Sequence, residues 1–352
     1  MNRVSLILII LLLAIPCHAR IITVNWDGTG DFNNIQAAIN DANDGDTVIV
    51  ADGIYTGDGN WDIDFLGKSI TVRSENGPTN CIVDCNGTLS DTHSGFDVGP
   101  NSVLDGFTIR NGYDSRGVGI YMYSFCDFCN FPHIRNCIIR DNHAVTQGGG
   151  IYVATSYRTG GAFITNCSIV GNSADLDGGG IFVNQCNTNV YVRNSILWGN
   201  TAGSNGDMID LAPGKGCETI AYVDFSVLQS DWYYGGNNIV ADPCFADADN
   251  GDYHLKSQAG RWDPNTESWV IDAVTSPAID AGDPADPVGF EPFPNGGIIN
   301  MGAYGGTAEA SKSYFGIPPC ETIVAGDING DCKVNFLDFR LMALHWLENN
   351  NP

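Results

Sequence analysis

The chain has 352 residues, 43% of them hydrophobic, and sets 16 Lys+Arg against 41 Asp+Glu for a formal net charge of −25. A charge of that sign and size excludes nucleic acid and anionic membrane surfaces as partners. The acidity is carried by 34 Asp against 7 Glu, beside 43 Gly, a bias toward turns, caps and oxygen-ligand sites that predicts short strands and tight turns with little helix.

The first residues predict a secretory leader over residues 1–19. Arg3 supplies a positive start, Leu6 to Ile15 is an apolar run of ten, and Ala19 offers a small residue for cleavage. Ten residues are too few to cross a bilayer as a helix, which takes roughly 20, and no later segment is a better candidate. A secreted, extracellular or cell-surface monomer without a transmembrane anchor is therefore expected. Twelve cysteines fit an oxidising compartment. Cys81 with Cys85, and Cys126 with Cys129, are close enough in sequence to suggest local disulfides. Cys126 and Cys129 lack the second CxxC pair of a zinc site.

In chain order, residues 31–39 begin a short helix, with Ile35, Ala38, Ile39 and Ala42 on one face. Asn33 and Gln36 have capping-box spacing, and Gly45 follows as a terminator. Placed at the open end of a stack of strands, this helix would cover edges that otherwise invite aggregation. Strand-like runs come next at residues 47–50, 70–72 and 103–109.

An internal repeat then governs the pattern. Asn136-Cys137-Ile138-Ile139-Arg140-Asp141-Asn142 leads to Gly148-Gly149-Gly150-Ile151-Tyr152-Val153. Asn166-Cys167-Ser168-Ile169-Val170-Gly171-Asn172 leads to Gly178-Gly179-Gly180-Ile181-Phe182-Val183. Asn194 to Asn200 opens a third copy, and residues 107–121 hold a fainter one. The period is 30 residues from Asn136 to Asn166 and 28 from Asn166 to Asn194. Short alternating runs parted by Gly and Asn leave no room for an amphipathic helix. The expected architecture is an all-β, right-handed parallel β-helix, in which each repeat is one coil and coils stack about 4.8 Å apart.

Strand alternation assigns the faces. Cys137, Ile139, Cys167, Ile169, Ser195, Leu197, Ile151, Val153, Ile181 and Val183 point inward. Asn142, Asn172 and Asn200 fall at one turn and should stack as an internal amide ladder. Cys137 and Cys167 should lie one above the other, where a disulfide between coils is geometrically possible but stacked free thiols filling a core position are the favoured reading.

Residues 22–24, Asp27-Gly28-Thr29-Gly30-Asp31-Phe32, Ile35-Gln36-x-Ala38-Ile39 and Gly45-Asp46-Thr47-Val48 resemble the opening of the pectate-lyase-like β-helix superfamily. The Asp-Gly-Thr-Gly-Asp-Phe portion is also similar to the start of pectin methylesterases. The resemblance covers roughly residues 21–310 and implies fold more than activity, because that superfamily holds lyases, esterases, hydrolases and proteins without known chemistry. Neither the esterase's aspartates with their Gln and Arg partners nor the lyase's arginine motifs can be matched. Residues 240–310, with Ser276-Pro277-Ala278-Ile279-Asp280-Ala281-Gly282 and Met301-Gly302-Ala303-Tyr304-Gly305-Gly306, look like a closing segment and are read as a C-terminal cap. The β-helix unit thus spans 20–310, followed by a linker at 311–322.

Residues 323–349 carry a distinct motif. Asp327, Asn329, Asp331, Asn335 and Asp338 stand at positions 1, 3, 5, 9 and 12 of a calcium loop, and Lys333 at position 7 can offer its carbonyl. A helix should follow, with Phe339, Met342, Ala343, Trp346 and Leu347 on its apolar face. The pattern resembles one dockerin repeat, which implies bound calcium and a cohesin-like or cell-surface partner. Two features depart from it: Cys332 replaces the usual Gly at position 6, and the second repeat of a dockerin is missing.

Candidate chemistry lies on outward positions. Tyr121, Tyr152 and Phe182 recur on successive coils as an aromatic strip that could face sugar rings or simply pack across strands. Arg110 and Arg140 stack outward and could meet uronate carboxylates or act in a lyase. Asp175 and Asp177 share a turn and could serve as a carboxylate pair for glycoside hydrolysis or hold a catalytic calcium. Two functions remain open: binding or breakdown of an extracellular polysaccharide, including an acidic, pectin-like one, by a lyase or glycoside hydrolase; or a non-catalytic surface scaffold whose tail serves attachment.

Overall fold

A computed structural model of the chain describes residues 19–124, 131–155, 160–184, 188–212, 219–314, 334 and 336–346. Residues 1–18 of the expected leader, Cys126, Cys129 and five of the six calcium-loop residues (Asp327, Asn329, Asp331, Lys333 and Asn335) lie outside them. No helix among the described residues is long and apolar enough to cross a membrane.

All but four of the described strands wind through four parallel sheets; Phe245–Asp247 with Asp252–Leu255, and Arg261–Asp263 with Ser268–Val270, form antiparallel pairs. Sheet A has eight strands, from Ile21–Val24 to Ile220–Asp224. Sheet B also has eight, from Gly53–Tyr55 to Ile239–Val240. Sheet C has six, from Ile63–Asp64 to Ile209–Leu211, and the short sheet D has four, from Tyr113–Arg116 to Thr201–Ala202. The chain visits the sheets in turn, so the repeat becomes a coil of a parallel β-helix. The sequence period sets the register: Ile139 pairs with Ile169 and Ile169 with Leu197 in sheet B, while Ile151 pairs with Ile181 and then Ile209 in sheet C.

The inward residues form one continuous core. Cys137, Ile139, Ile151, Val153, Cys167, Ile169, Ile181, Val183 and Leu197 all belong to the same buried cluster, and Ser195 is buried beside them. Asn142, Asn172 and Asn200 are buried and hydrogen-bond from coil to coil. Cys137 and Cys167 are buried free thiols, as expected. Burial pushes the Cys137 thiol up to about 12, which leaves it unreactive at neutral pH.

The Cys81–Cys85 pairing is corrected: both are free and buried. Cys81 opens the strand Cys81–Asp84 and Cys85 follows it, both on the inward side. Four residues of extended chain separate their Cα atoms by roughly 13 Å, well beyond the 7 Å limit for a disulfide.

The Gly-Gly-Gly blocks have two physical causes. Gly148 and Gly178 adopt φ of +70° and +67°, which a side chain would strain. Gly149 and Gly179 lie against the next coil: a Cβ there would sit 2.2 Å from the Ser173 carbonyl oxygen and 2.1 Å from that of Thr201.

Helix α1 spans Ile35–Asp41, with Ile35, Ala38 and Ile39 buried in the main core and contacts to the strands Ile21–Val24, Thr47–Val50 and Ile63–Asp64. Its N-cap is Asn34, whose Oδ1 accepts from the Ala37 amide at 2.8 Å, rather than Asn33. Asn33 lies one residue too early for its side chain to reach that amide.

Residues 240–310 run back along the flank of sheet B instead of closing the end. Tyr253, Ala303 and Tyr304 pack on Ile138 and Val170. Asn136 donates to the Ala303 and Gly305 carbonyls, Asn166 to the Asn300 carbonyl, and Asn194 to Asp286. These asparagines occupy the left-handed region, with φ of +50°, +48° and +49°, where Asn is among the few side chains tolerated. Each aims its amide outward at the flanking segment. Near the last strand of sheet A it is Trp232 that packs on the core, donating Nε1 to the Ala221 carbonyl.

Candidate functional site

The outward face of sheet C places one residue per coil in a single file. Asp64 pairs with Asp97, Asp97 with Tyr121, Tyr121 with Tyr152, Tyr152 with Phe182 and Phe182 with Asp210. The file therefore has two carboxylates at one end, three stacked rings in the middle and one carboxylate at the other end.

At the two-carboxylate end lies a cleft of about 440 Å³, lined by Asp62, Asp64, Ser94, Asp97, Asp114, Arg116 and Tyr121 among others. Burial, reinforced by the neighbouring Asp64 carboxylate, pushes the Asp97 carboxyl up to about 7. Asp97 Oδ1 is buried and has no hydrogen-bond partner within the protein. Asp64 is anchored differently, its Oδ1 accepting the Leu66 amide at 2.6 Å. Asp62 holds the rim: it accepts the Ser94 amide and hydroxyl at 2.7 and 2.9 Å and contacts His93 Nδ1 at 2.9 Å. The His93 ring stacks on Trp61 with centroids 3.9 Å apart. Despite some burial, Asp62 and Asp91 raise its pKa, so it partly offsets the local negative charge. A carboxyl raised toward neutrality with a second carboxyl beside it in one cleft is an arrangement that suits acid–base chemistry.

The sequence-derived candidates fall in different places. Tyr121, Tyr152 and Phe182 are outward and in register, but Tyr152 and Phe182 are almost fully buried, and the rings stack on one another at 5.3 and 5.4 Å. Their faces are used by each other, which favours packing over sugar contact for those two. Tyr121 alone of the three lines the cleft, and the Arg116 guanidinium lies 5.7 Å from the Tyr152 ring centroid. Arg110 is bound to Asp84 at 2.9 Å. Arg140 is paired with Asp141 and lies 5.9 Å from the ring centroid of Tyr253 in the flanking segment. Both arginines are on sheet B, and neither lines the cleft. Asp175 is exposed beside His143, 3.4 Å from Nε2. Asp177 takes hydrogen bonds from Gln147 and Asn205 on the adjacent coils. These two aspartates do not meet as a pair.

The cleft residues Asp62, Asp64, Asp97, Asp114 and Arg116 were not singled out from sequence. The signal was Asp at an outward strand position on two adjacent coils, and the uneven length of those coils concealed it. Among the described residues no cluster of three or more His, Cys, Asp or Glu side chains could hold a metal. Of the calcium-loop candidates only Asp338 is described, buried in the expected helix α2, Phe336–Trp346. Phe336, Phe339 and Met342 of α2 are exposed.

Residues 31–197 match the family model of the right handed beta helix region, in agreement with the winding described above. Residues 229–282, within the last coil and the flanking segment, match a model described as disaggregatase related. No curated protein matches the chain. Among solved structures, a pectin methylesterase from carrot is similar at 14% identity and a TM-score of 0.33, over 59% of this chain and 71% of that one.

Proposed function

We propose that this chain is a secreted polysaccharide-active β-helix protein, with glycan lying in the sheet C cleft and Asp97 and Asp64 as its acid–base pair. The observation that carries the reading is the Asp97 carboxyl, raised to about 7 beside Asp64 in an open cleft. A carboxyl still protonated near neutrality can donate to a leaving glycosidic oxygen, and Asp64 is placed to attack the sugar carbon or to activate water. Strand pairing sets the two residues on adjacent coils, with backbones about 4.8 Å apart.

Four aspartates against one arginine in the cleft disfavour a uronate at the point of cleavage, so the bond attacked joins neutral sugars. Calcium held by residues 327–338 and a cohesin-like or surface partner for the tail complete the proposal, and the exposed Phe336, Phe339 and Met342 support an attachment role. Helix α1, at the start of the stack, is assigned the capping role. The test is a panel of neutral and acidic polysaccharides scored for new reducing ends and for ultraviolet-absorbing unsaturated product. Reducing ends without ultraviolet absorption, abolished by Asp97→Asn and Asp64→Asn, are expected. Unsaturated product would replace hydrolysis by a lyase reaction, and a silent panel would favour the scaffold.

A further inference from the structure

His254, in the flanking segment, is fully buried, and each of its ring nitrogens faces a carboxylate. Nδ1 lies 2.7 Å from Asp252 Oδ1, and Nε2 lies 3.2 Å from Glu309 Oε2. The Tyr304 ring stacks on the imidazole with centroids 3.7 Å apart. The cluster reaches the β-helix through Thr79, which lies between the strands Thr71–Ser74 and Cys81–Asp84. The Thr79 hydroxyl donates to Glu309 Oε2 at 3.0 Å and lies 3.0 Å from the Tyr304 hydroxyl. A neutral imidazole has one donor and one acceptor, so a single ring satisfies two carboxylates only when it carries a proton on each nitrogen.

The two ends of this bridge are held unequally. Asp252 also accepts the His254 backbone amide at 3.0 Å and meets Arg261 at 3.2 Å, and Arg261 is shared with Asp272 at 3.1 Å. Glu309 has only His254 and the Thr79 hydroxyl. It lines a groove of about 620 Å³ with Arg73, Glu75, Asp105 and Arg135, and neither arginine is within ion-pair distance of it. Burial by itself would lower the pKa of His254, but the hydrogen bonds and charges of Asp252 and Glu309 outweigh it and raise the group above its ordinary 6.5. Burial pushes the Tyr304 hydroxyl up, so it stays protonated while the ring titrates. When the ring loses a proton, Asp252 keeps the remaining N–H on Nδ1. The lone pair of Nε2 is then left facing the Glu309 carboxylate, a repulsive contact in a dry site.

We propose that Asp252, His254, Glu309 and Thr79 form a pH-sensitive latch, which holds residues 304–309 against the β-helix while the ring is doubly protonated and releases them when Nε2 loses its proton. The release begins at Glu309, the end with no second cation. Residues 304–309 form one wall of the groove, and Tyr304 packs on Ile138 and Val170 of sheet B, so opening the latch frees that wall. The sign follows from the raised pKa: the latch contributes its full stability below about pH 6.5 and loses it as pH rises through the higher folded value. None of these residues lines the sheet C cleft, and the latch does not depend on the chemistry of that cleft.

Two measurements on the full chain test it. Nuclear magnetic resonance of histidine labelled with nitrogen-15 should show His254 protonated on both nitrogens at pH 6 and titrating above its ordinary value. Hydrogen exchange read by mass spectrometry, corrected for the intrinsic pH dependence of exchange, should show protection of residues 304–309 falling about tenfold or more over the same range, the loss expected for one charged contact. The amides of Asn142 and Asn172 should keep their protection. His254→Gln should remove the pH dependence. Glu309→Gln should also remove it and keep the wall protected at high pH, because its side-chain amide can donate to the neutral Nε2 while its oxygen still accepts from Thr79. If His254→Gln does not fold, Glu309→Gln, whose side chain is 23% exposed, decides alone. The dependence should persist in Asp97→Asn, which separates it from titration in the cleft. A neutral His254 at pH 6, protection of 304–309 that ignores pH in the parent, or an unchanged pH dependence in folded Glu309→Gln would each overturn the proposal.

Discussion

The side-chain amide of Asn142 donates Nδ2 to Oδ1 of Asn172, 3.0 Å away and one coil further along the helix. Asn172 repeats the contact to Asn200 at 3.1 Å and also donates to the Ile139 carbonyl at 2.8 Å. Gln229 continues the file by accepting the Asn200 amide at 3.0 Å. A buried amide in such a file fixes the register of neighbouring coils, because sliding one coil would strand several polar groups at once.

Replacing Asn172 by Ala should therefore cost about 2–4 kcal/mol, since the Asn142 amide groups and the Ile139 carbonyl all lose a partner in a buried site. Denaturant unfolding followed by far-ultraviolet circular dichroism measures it. A change of only a few tenths of a kcal/mol would show that the ladder is not holding the coils.

Gly179→Ala should be more damaging than an ordinary glycine substitution in a strand. The new Cβ would meet the Thr201 backbone, with its carbonyl oxygen at 2.1 Å and amide nitrogen at 2.7 Å, and backbone cannot swing aside as a flexible side chain would. A fall in melting temperature clearly larger than that for Gly236→Ala is expected, because nothing lies within 4 Å of a Cβ at Gly236. Similar melting temperatures would contradict the close coil contact.

Asp97 gives a pH dependence with a definite sign. Its folded carboxyl titrates near 7 and its ordinary value is 3.8, so between those values the folded chain binds more protons than the unfolded one. Stability contributed by this group is present below about pH 4 and is lost as pH rises through about 7. Asp97→Asn removes the penalty, so the variant should gain stability relative to the parent at pH 8 and little at pH 4. Melting curves at the two pH values check this. If the chain hydrolyses glycans, its activity should fall on the alkaline side with the same midpoint near 7, read from a rate profile across pH.

Calcium should raise the melting temperature or change the tryptophan fluorescence of the chain, through the tail that contains Trp346. Asp327→Ala together with Asp331→Ala should abolish the response, since a calcium loop with two carboxylates removed loses both charge and ligands. A parent chain that shows no change up to millimolar calcium would eliminate the site.

The repeat is what made most of the fold legible. Between Asn136 and Asn200 nearly equal coils recur, so alternation placed Cys137, Ile139, Cys167 and Ile169 in the core and Asn142, Asn172 and Asn200 in a ladder. The acidic pair was not legible in the same way. Thirty-three residues separate Asp64 from Asp97 but only 24 separate Asp97 from Tyr121, and the strand Ile63–Asp64 is two residues long. Without a constant period, only the pairing of strands shows that these carboxyls are neighbours. The outward asparagines Asn136, Asn166 and Asn194 were visible as a motif, but their hold on the flanking segment was not.

Sequence by itself determined which side of each strand faces inward, because alternation follows from the covalent geometry of an extended chain and needs no distant partner. It also determined where glycine must stand, at the Gly-rich turns of each coil. Tertiary structure alone decided what becomes of the outward side. Tyr152 and Phe182 point out of the sheet and yet are buried, Arg140 points out and lies against Tyr253, and Asp97 points into an open cleft beside Asp64. Those outcomes depend on neighbours far away in sequence, and it is their burial and charge that set which outward residue packs and which is left free to react.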